Sequence, residues 1–242
     1  MPLVMLHGWG MNGRVFDPLR TDLDQYPNWA IDLPGHGQSP WWPAAAAFQV
    51  QQRAVSAALP PRCVLLGWSL GAKLALSIAA SEPERVAALV LVAASPKFAQ
   101  SADWPHGMDP PAQRAFGAAL AQDWQHTLQD FITLQLRGSR HAEEARALIA
   151  AALAAGGAPQ RAALIAGMAL LESVDLRALA PLITQPALII AGQNDRVTPP
   201  DAARWLAKVM PHATLREIPR AGHAPMISHH TEVAAAIREF LA

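Results

Sequence analysis

Ser69 lies in Gly67-Trp68-Ser69-Leu70-Gly71, and its possible chemistry follows from what flanks it. An apolar run from Cys63 to Leu66 leads into this pentapeptide and an alanine-rich helical run leaves it, so the serine falls on a strand-to-helix turn. In so tight a turn only glycine leaves room at the flanking positions, and the hydroxyl is held clear of the backbone at the end of a sheet, as in a nucleophile elbow. A serine hydroxyl is a weak nucleophile at neutral pH. It needs a base within hydrogen-bond reach and a third group to orient that base. Of nine histidines, His223 is the candidate base, because it follows the apolar stretch Thr214 to Ile218 in a loop just before the final helical run. Asp195 is the candidate orienting acid, in Gly192-Gln193-Asn194-Asp195-Arg196-Val197-Thr198-Pro199 after the apolar Ala187 to Ala191. The chain order Ser, Asp, His suits an elbow of this kind. Acyl transfer also requires N–H donors for an oxyanion, and the main chain of Leu70 and of Trp9, in His7-Gly8-Trp9-Gly10, is expected to supply them.

Other residues compete for roles and are assigned plainer ones. Asp32 ends a strand but precedes the elbow, so it reads as a turn residue, as does His36 in Pro34-Gly35-His36-Gly37. His229 and His230, at the start of the last helix, read as surface or supporting residues. Cys63 is the only cysteine and reads as a strand residue, which leaves no internal disulfide and no cysteine zinc site. No metal-binding, phosphate-cradling or dinucleotide motif is present, so neither metal nor cofactor is expected. Trp9 and Trp68 flank the elbow and its facing loop and are expected to wall an apolar acyl pocket.

These residues need a scaffold. Short apolar runs at Leu3 to Leu6, Trp29 to Asp32, Val64 to Leu66, Leu89 to Ala93, Ala187 to Ala191 and Thr214 to Ile218 read as strands buried on both faces. Helical stretches at Arg14 to Gln25, Ala44 to Ala58, Leu70 to Ser81, Asp201 to Val209 and Thr231 to Leu241 alternate with them, the pattern of a doubly wound, mostly parallel α/β sheet. The alternation fails in the middle, where only helical pieces occur: Pro111 to Gln122, Trp124 to Leu136, His141 to Ala155 and Arg161 to Leu171. Residues 1–96 and 183–242 are therefore expected to form the core and 97–182 an inserted helical lid.

At 242 residues with 52% hydrophobic and 16% charged content, the chain suits a globular domain. Zero formal net charge provides no global field for nucleic acid or an anionic membrane. The start lacks a basic segment and a cleavage site, and no apolar run reaches spanning length, so a cytoplasmic protein is expected, outside the membrane and monomeric.

With the elbow, the His-Gly-Trp-Gly loop, Asp195 and His223 in place, the chain resembles the α/β-hydrolase superfamily over nearly its whole length. Asp32-Leu33-Pro34-Gly35-His36-Gly37-Gln38-Ser39, Pro83-Glu84-Arg85-Val86, Asp103-Trp104-Pro105 and Ala221-Gly222-His223-Ala224-Pro225 narrow the likeness. Together with the tryptophan inside the elbow, they resemble the pimeloyl-carrier-protein methyl ester esterases of biotin synthesis. The resemblance implies a carboxylesterase that frees the distal carboxylate of a pimeloyl chain on acyl carrier protein, with Trp68 and Phe131 bordering the substrate channel. It also implies carrier docking through lid arginines, here Arg137, Arg140 and Arg146. That basic patch is diluted: seven basic residues face eight acidic ones between Lys97 and Leu182, and His126 stands where a fixed charge is expected. The family usually has a strand or hairpin before the His-Gly loop, whereas this chain starts six residues before His7, which implies a smaller sheet or a truncated start. The triad alone also suits a hydrolase of small free esters, lactones or carbon–carbon bonds, and the fold also suits a non-catalytic ligand receptor.

Overall fold

In the computed structural model, which describes residues 1–242, the six expected runs form one sheet. The strands are β1 (Leu3–Leu6), β2 (Asn28–Ile31), β3 (Cys63–Trp68), β4 (Val86–Val92), β5 (Ala187–Gly192) and β6 (Ala213–Ile218), in spatial order β2-β1-β3-β4-β5-β6. All five pairings are parallel. Parallel neighbours require crossovers, and helices supply them: α1 (Asp17–Asp22), α2 (Phe48–Ala58) and α3 (Leu70–Ser81) in the first half. In the second half α8 (Pro200–Val209) links β5 to β6, and α9 (Pro225–Ser228) and α10 (His230–Leu241) follow the last strand. Between β4 and β5 the chain leaves the sheet for α4 (Pro110–Gln122), α5 (Trp124–Leu136), α6 (Ala142–Gly156) and α7 (Arg161–Ser173).

Burial on both faces holds for β1, β3 and β5 throughout and for nearly all of β4. The two edge strands depart from it. β2 is half-buried along its length, and β6 alternates between exposed and part-covered residues until Ile218, because each has a neighbour on one side only. Two helices are also shorter than the periodicity predicts. Pro18 starts α1 after a 3-10 turn at Gly13–Phe16. Ala47, in extended conformation, separates a 3-10 turn at Pro43–Ala46 from α2.

Helix α3 is apolar around nearly its whole circumference, which matches its place under the sheet. Its one charge, Lys73, is 2% exposed. The Lys73 ammonium donates to the carbonyls of Pro96 (2.9 Å) and Val174 (2.8 Å), where the helical insertion leaves and rejoins the core. Burial pushes its pKa down to about 7, opposed by Asp175. The same junction carries Lys97–Asp175 at 3.5 Å, Arg177–Asp175 at 2.8 Å and Arg177–Asp103 at 2.9 Å. Trp104, in the Asp-Trp-Pro motif, donates its indole N–H to the Lys97 carbonyl under the Arg177 guanidinium. The Ser101 hydroxyl, followed by Arg177, holds the Asp103 carboxyl down to about 2. No helix is long and apolar enough to cross a membrane.

Candidate active site

Ser69 connects β3 to α3 with φ 56° and ψ −112°, a left-handed backbone that an L-residue adopts only under constraint. The constraint is steric. A Cβ on Gly71 would lie 2.2 Å from the Leu6 carbonyl oxygen, and one on Gly67 would lie 2.6 Å from Cα of Ala72. The helix can therefore pass against β1 only with glycine on both sides of the serine.

His223 and Asp195 arrive from the loops after β6 and β5, adjacent strands whose C-terminal ends lie near the elbow. Ser69 Oγ is 3.0 Å from His223 Nε2, and His223 Nδ1 is 2.8 Å from Asp195 Oδ2. A carboxylate only accepts, so Nδ1 carries the proton and Nε2 is left to accept from the serine. All three residues are buried, His223 to 1% exposure. Asp195 is itself held by four donors: His223, the backbone N–H groups of Val197 (2.8 Å) and Thr198 (2.9 Å), and the nearby Thr198 hydroxyl (2.9 Å). That hydroxyl also lies 3.0 Å from the Ala93 carbonyl, and its single proton serves one acceptor at a time. Ala93 likewise has a positive φ (47°), placing strain again beside the site.

The base loop is tied down from two sides. Trp68 donates its indole N–H to the His223 carbonyl at 2.8 Å, and the His223 N–H donates to the Gln135 carbonyl at the end of α5, also at 2.8 Å. The indole of Trp68 lies against Gly8 and the His223 ring, so this side chain supports the base loop directly.

The facing loop is shaped by two buried neutral histidines. His7 donates from Nδ1 to the Gly8 carbonyl and accepts from the Leu33 N–H at Nε2. His36 donates from Nδ1 to the Pro34 carbonyl and accepts from the Gly10 N–H at Nε2. Burial pushes His7 down to about 3 and His36 to about 4, so neither gains a charge at neutral pH. Both act as fixed spacers between the loops after β1 and β2. Asp32 performs the turn role expected of it, accepting from the N–H groups of Gly13 (2.7 Å) and Gln38 (2.9 Å). Within the loop so held, the Trp9 N–H has no intramolecular acceptor, and Leu70, as the first residue of α3, has no intrahelical one. These are the two main-chain donors expected for an oxyanion.

The insertion covers this centre. The Trp9 indole donates to the Leu164 carbonyl of α7, and its ring meets Phe116 and Phe131 edge-on at 5.5 and 5.0 Å. These three, with Phe98, Met108, Met168 and Leu171, wall an apolar slot whose free volume is about 10 Å³, barely room for one water. Phe116 and Phe131 also floor a surface groove of about 380 Å³ between α4 and α5, so a displacement of these two rings would join groove and slot.

The residue pattern pointed to Trp9, Leu70, Trp68 and the three triad positions, and the resemblance to Phe131; the fold gathers them around the elbow, with Trp9 and Phe131 walling the slot and Trp68 under the base loop instead of in the slot wall. Thr198, Gln135, His7, Phe116 and the two methionines of the slot join them without any local signal. His229, expected at the surface or in support, is buried with Nδ1 2.9 Å from the Ser228 hydroxyl, while His230 pairs with Asp22 at 2.6 Å. None of the three docking candidates bonds to a triad residue: Arg137 and Arg140 are exposed in the loop after α5, and Arg146 of α6 donates to the Thr133 hydroxyl and faces Glu143. No cluster of side chains suited to a metal ion is present.

Comparison with known proteins agrees with this geometry. The profile of the alpha/beta hydrolase family matches residues 3–236. A pimeloyl-[acyl-carrier protein] methyl ester esterase of Stenotrophomonas maltophilia (strain K279a) is 42% identical over 241 residues, covering 99% of this chain and 92% of its own. The protein of the same name from Nitrosomonas europaea is 40% identical over 227 residues, covering 93% and 90%. Among solved structures, an esterase from Exiguobacterium antarcticum superposes with a TM-score of 0.90 at 23% identity, covering 100% of this chain and 91% of its own. The enol-lactonase from Burkholderia xenovorans LB400 gives 0.87 at 19% identity, covering 99% and 90%. At such identities the structural likeness speaks for the fold alone.

Proposed function

The chain belongs to the alpha/beta hydrolase family, and from that premise we propose that it is a serine carboxylesterase removing the methyl ester from a pimeloyl chain carried on acyl carrier protein. The observation that carries the chemistry is the unbroken hydrogen-bonded run from Ser69 through His223 to Asp195. The identity to the named esterases over nearly the whole chain supports the substrate.

In this reading Ser69 Oγ attacks the ester carbonyl while His223 Nε2 takes its proton. Asp195 stabilises the imidazolium and holds its tautomer. The Trp9 and Leu70 N–H groups receive the oxyanion; one such donor is typically worth about a hundredfold to a thousandfold in turnover. His223 returns the proton to the departing methoxide, so methanol leaves and the acyl chain stays on Ser69. Water, activated by the same histidine, then releases the carboxylate. Residues 97–182 act as a lid over residues 1–96 and 183–242, with Trp9, Phe116 and Phe131 bordering the acyl chain and Trp68 fixing the base loop. The groove between α4 and α5 is the route by which that chain reaches Ser69, once the Phe116 and Phe131 rings turn aside.

Mass spectrometry of pimeloyl methyl ester on acyl carrier protein, after incubation with wild type and with Ser69→Ala, tests this. The expected result is conversion of the methyl ester to the acid with the thioester intact, by wild type only. Survival of the carrier ester while a small free ester is cleaved would leave the triad standing and remove the substrate.

A further inference from the structure

We propose that Gly167, in the middle of α7, is a positioning residue for the oxyanion donor Trp9: the space left by its missing side chain is the seat of the Trp9 indole. A Cβ on Gly167 would lie 2.8 Å from Trp9 Cδ1 and 3.3 Å from Nε1. Carbon atoms in contact stand about 3.5–4.0 Å apart, so only glycine lets the ring come this close to the helix. The seat includes a bond. Three residues earlier on the same helix, the Leu164 carbonyl accepts the indole N–H at 2.8 Å. The Gly167 Cβ would also stand 3.7 Å from Leu70 Cδ2. One point of α7 therefore meets both residues whose main-chain N–H groups are assigned to the oxyanion.

Nothing local asks for glycine at this position. Gly167 sits inside the helix Arg161–Ser173, where glycine is less favourable than alanine, and its φ is not positive. The close approach of Trp9 is what requires it. By contrast, a Cβ on Gly117 in α4 would meet nothing within 4 Å.

Helix α7 is bound to the core at both ends. The Gln160 N–H, just before it, donates to the Gly35 carbonyl at 2.8 Å, and the Val174 carbonyl, just after it, accepts from the Lys73 ammonium at 2.8 Å. Near its start, Ala163 packs so closely on Gly35 that a Cβ there would overlap it. On the far side of the indole the apolar slot has only about 10 Å³ free. Phe116 and Phe131, which meet the indole edge-on, are the rings that turn aside when an acyl chain enters. In that state the seat on α7 keeps the indole in place.

The link to the chemistry is short. His7 holds the Gly8 carbonyl and His36 the Gly10 N–H, which fixes the peptide planes on either side of the Trp9 Cα. The side chain is the third restraint, and it sets how deep the Trp9 N–H stands in the site. A methyl group on Gly167 pushes the ring back by about 0.7–1.2 Å before ordinary contact is reached, and the main chain of so tight a loop moves with it. A misplacement of about 1 Å can cost about a hundredfold in rate.

The inference rests on the serine-esterase reading above but not on the carrier-borne substrate. The test measures kcat and KM on p-nitrophenyl acetate, whose acyl group is too short for the slot, and on dimethyl pimelate. The proteins are wild type, Gly167→Ala, Trp9→Phe, the double variant and the control Gly117→Ala. Gly167→Ala should lower kcat about tenfold to a hundredfold on both esters, with KM within about threefold and the shape of the pH profile kept, as for an interaction made only in the transition state. Gly117→Ala should match wild type. In Trp9→Phe the smaller ring leaves room for a methyl group, so adding Gly167→Ala should cost about twofold at most and the two losses should not multiply. If Gly167→Ala alone does not fold, that pair carries the test: a similar kcat supports the seat, and a further loss of about tenfold overturns it. A kcat within about twofold of wild type in Gly167→Ala, a loss confined to dimethyl pimelate, or losses that multiply in the double variant would overturn the seat and leave the esterase reading standing. No turnover of either ester by wild type would overturn both.

Discussion

Replacing Lys73 with methionine should stabilise the protein near pH 7, and the gain should disappear as the pH rises. Lys73 is 2% exposed, and burial lowers its pKa from 10.5 to about 7. The unfolded chain keeps the ordinary value, so between these two pH values the unfolded state holds the extra proton and folding stability climbs with pH. Below about pH 7 the amine is charged in both states and the climb stops. Each pH unit in the window is worth about 1.4 kcal/mol, so wild type should gain about 3 kcal/mol relative to Lys73→Met between about pH 7 and pH 9.5, allowing for half-protonation at the lower limit. Methionine keeps the length without the charge. It leaves the Val174 carbonyl without its donor, at a pH-independent cost of about 1–3 kcal/mol, whereas the Pro96 carbonyl keeps the Leu176 N–H. The variant should therefore be the more stable by about 1–3 kcal/mol at pH 7 and roughly level with wild type near pH 9.5. Urea denaturation of both proteins at the two pH values measures this directly. A stability difference that is the same at both would show that burial does not neutralise Lys73, and the reasoning fails.

Asp195→Asn keeps an oxygen for the Val197 and Thr198 N–H groups but faces His223 with an amide, so the imidazole takes the wrong tautomer; kcat should fall by about 10⁴ in steady-state ester hydrolysis, with an unchanged melting curve. A loss below about tenfold would mean that Asp195 does not orient the base. Gly71→Ala places a Cβ where the Leu6 carbonyl already stands, which should cost about 3 kcal/mol or more and leave the protein insoluble or with a much lower Tm; a wild-type melt would contradict the steric account of the elbow.

How much of this was legible in the sequence depends on how local the cause is. The elbow was, because the clash that demands Gly67 and Gly71 arises within a few residues of Ser69 and the strand beside it. The sheet was also legible, since strands covered on both faces leave unbroken apolar runs. His223 and Asp195 followed from position, each just past a strand whose C-terminal end must face the same way as that of β3 in a parallel sheet. The ends of α1 and α2 were less so: one 3-10 turn and the extended Ala47 interrupt helical patterns that composition alone continues.

What only the tertiary structure decided are relations between groups far apart in the chain. Lys73 reads as an ordinary helical lysine until Pro96 and Val174, 23 and 101 positions away, close over it. Thr198 reaches Asp195 from three positions on, but the Ala93 carbonyl that competes for its hydroxyl proton comes from 105 positions away. The loop after α5 gives no sign in the sequence of meeting the acid and base loops, yet Arg140, Gly138 and Ser139 bond to Arg220, Asn194 and Gly222 across them. Residue types and short spacing carry local sterics and burial, and these the sequence states by itself. Juxtaposition across the chain is set by how helices and sheet pack, which no short stretch encodes.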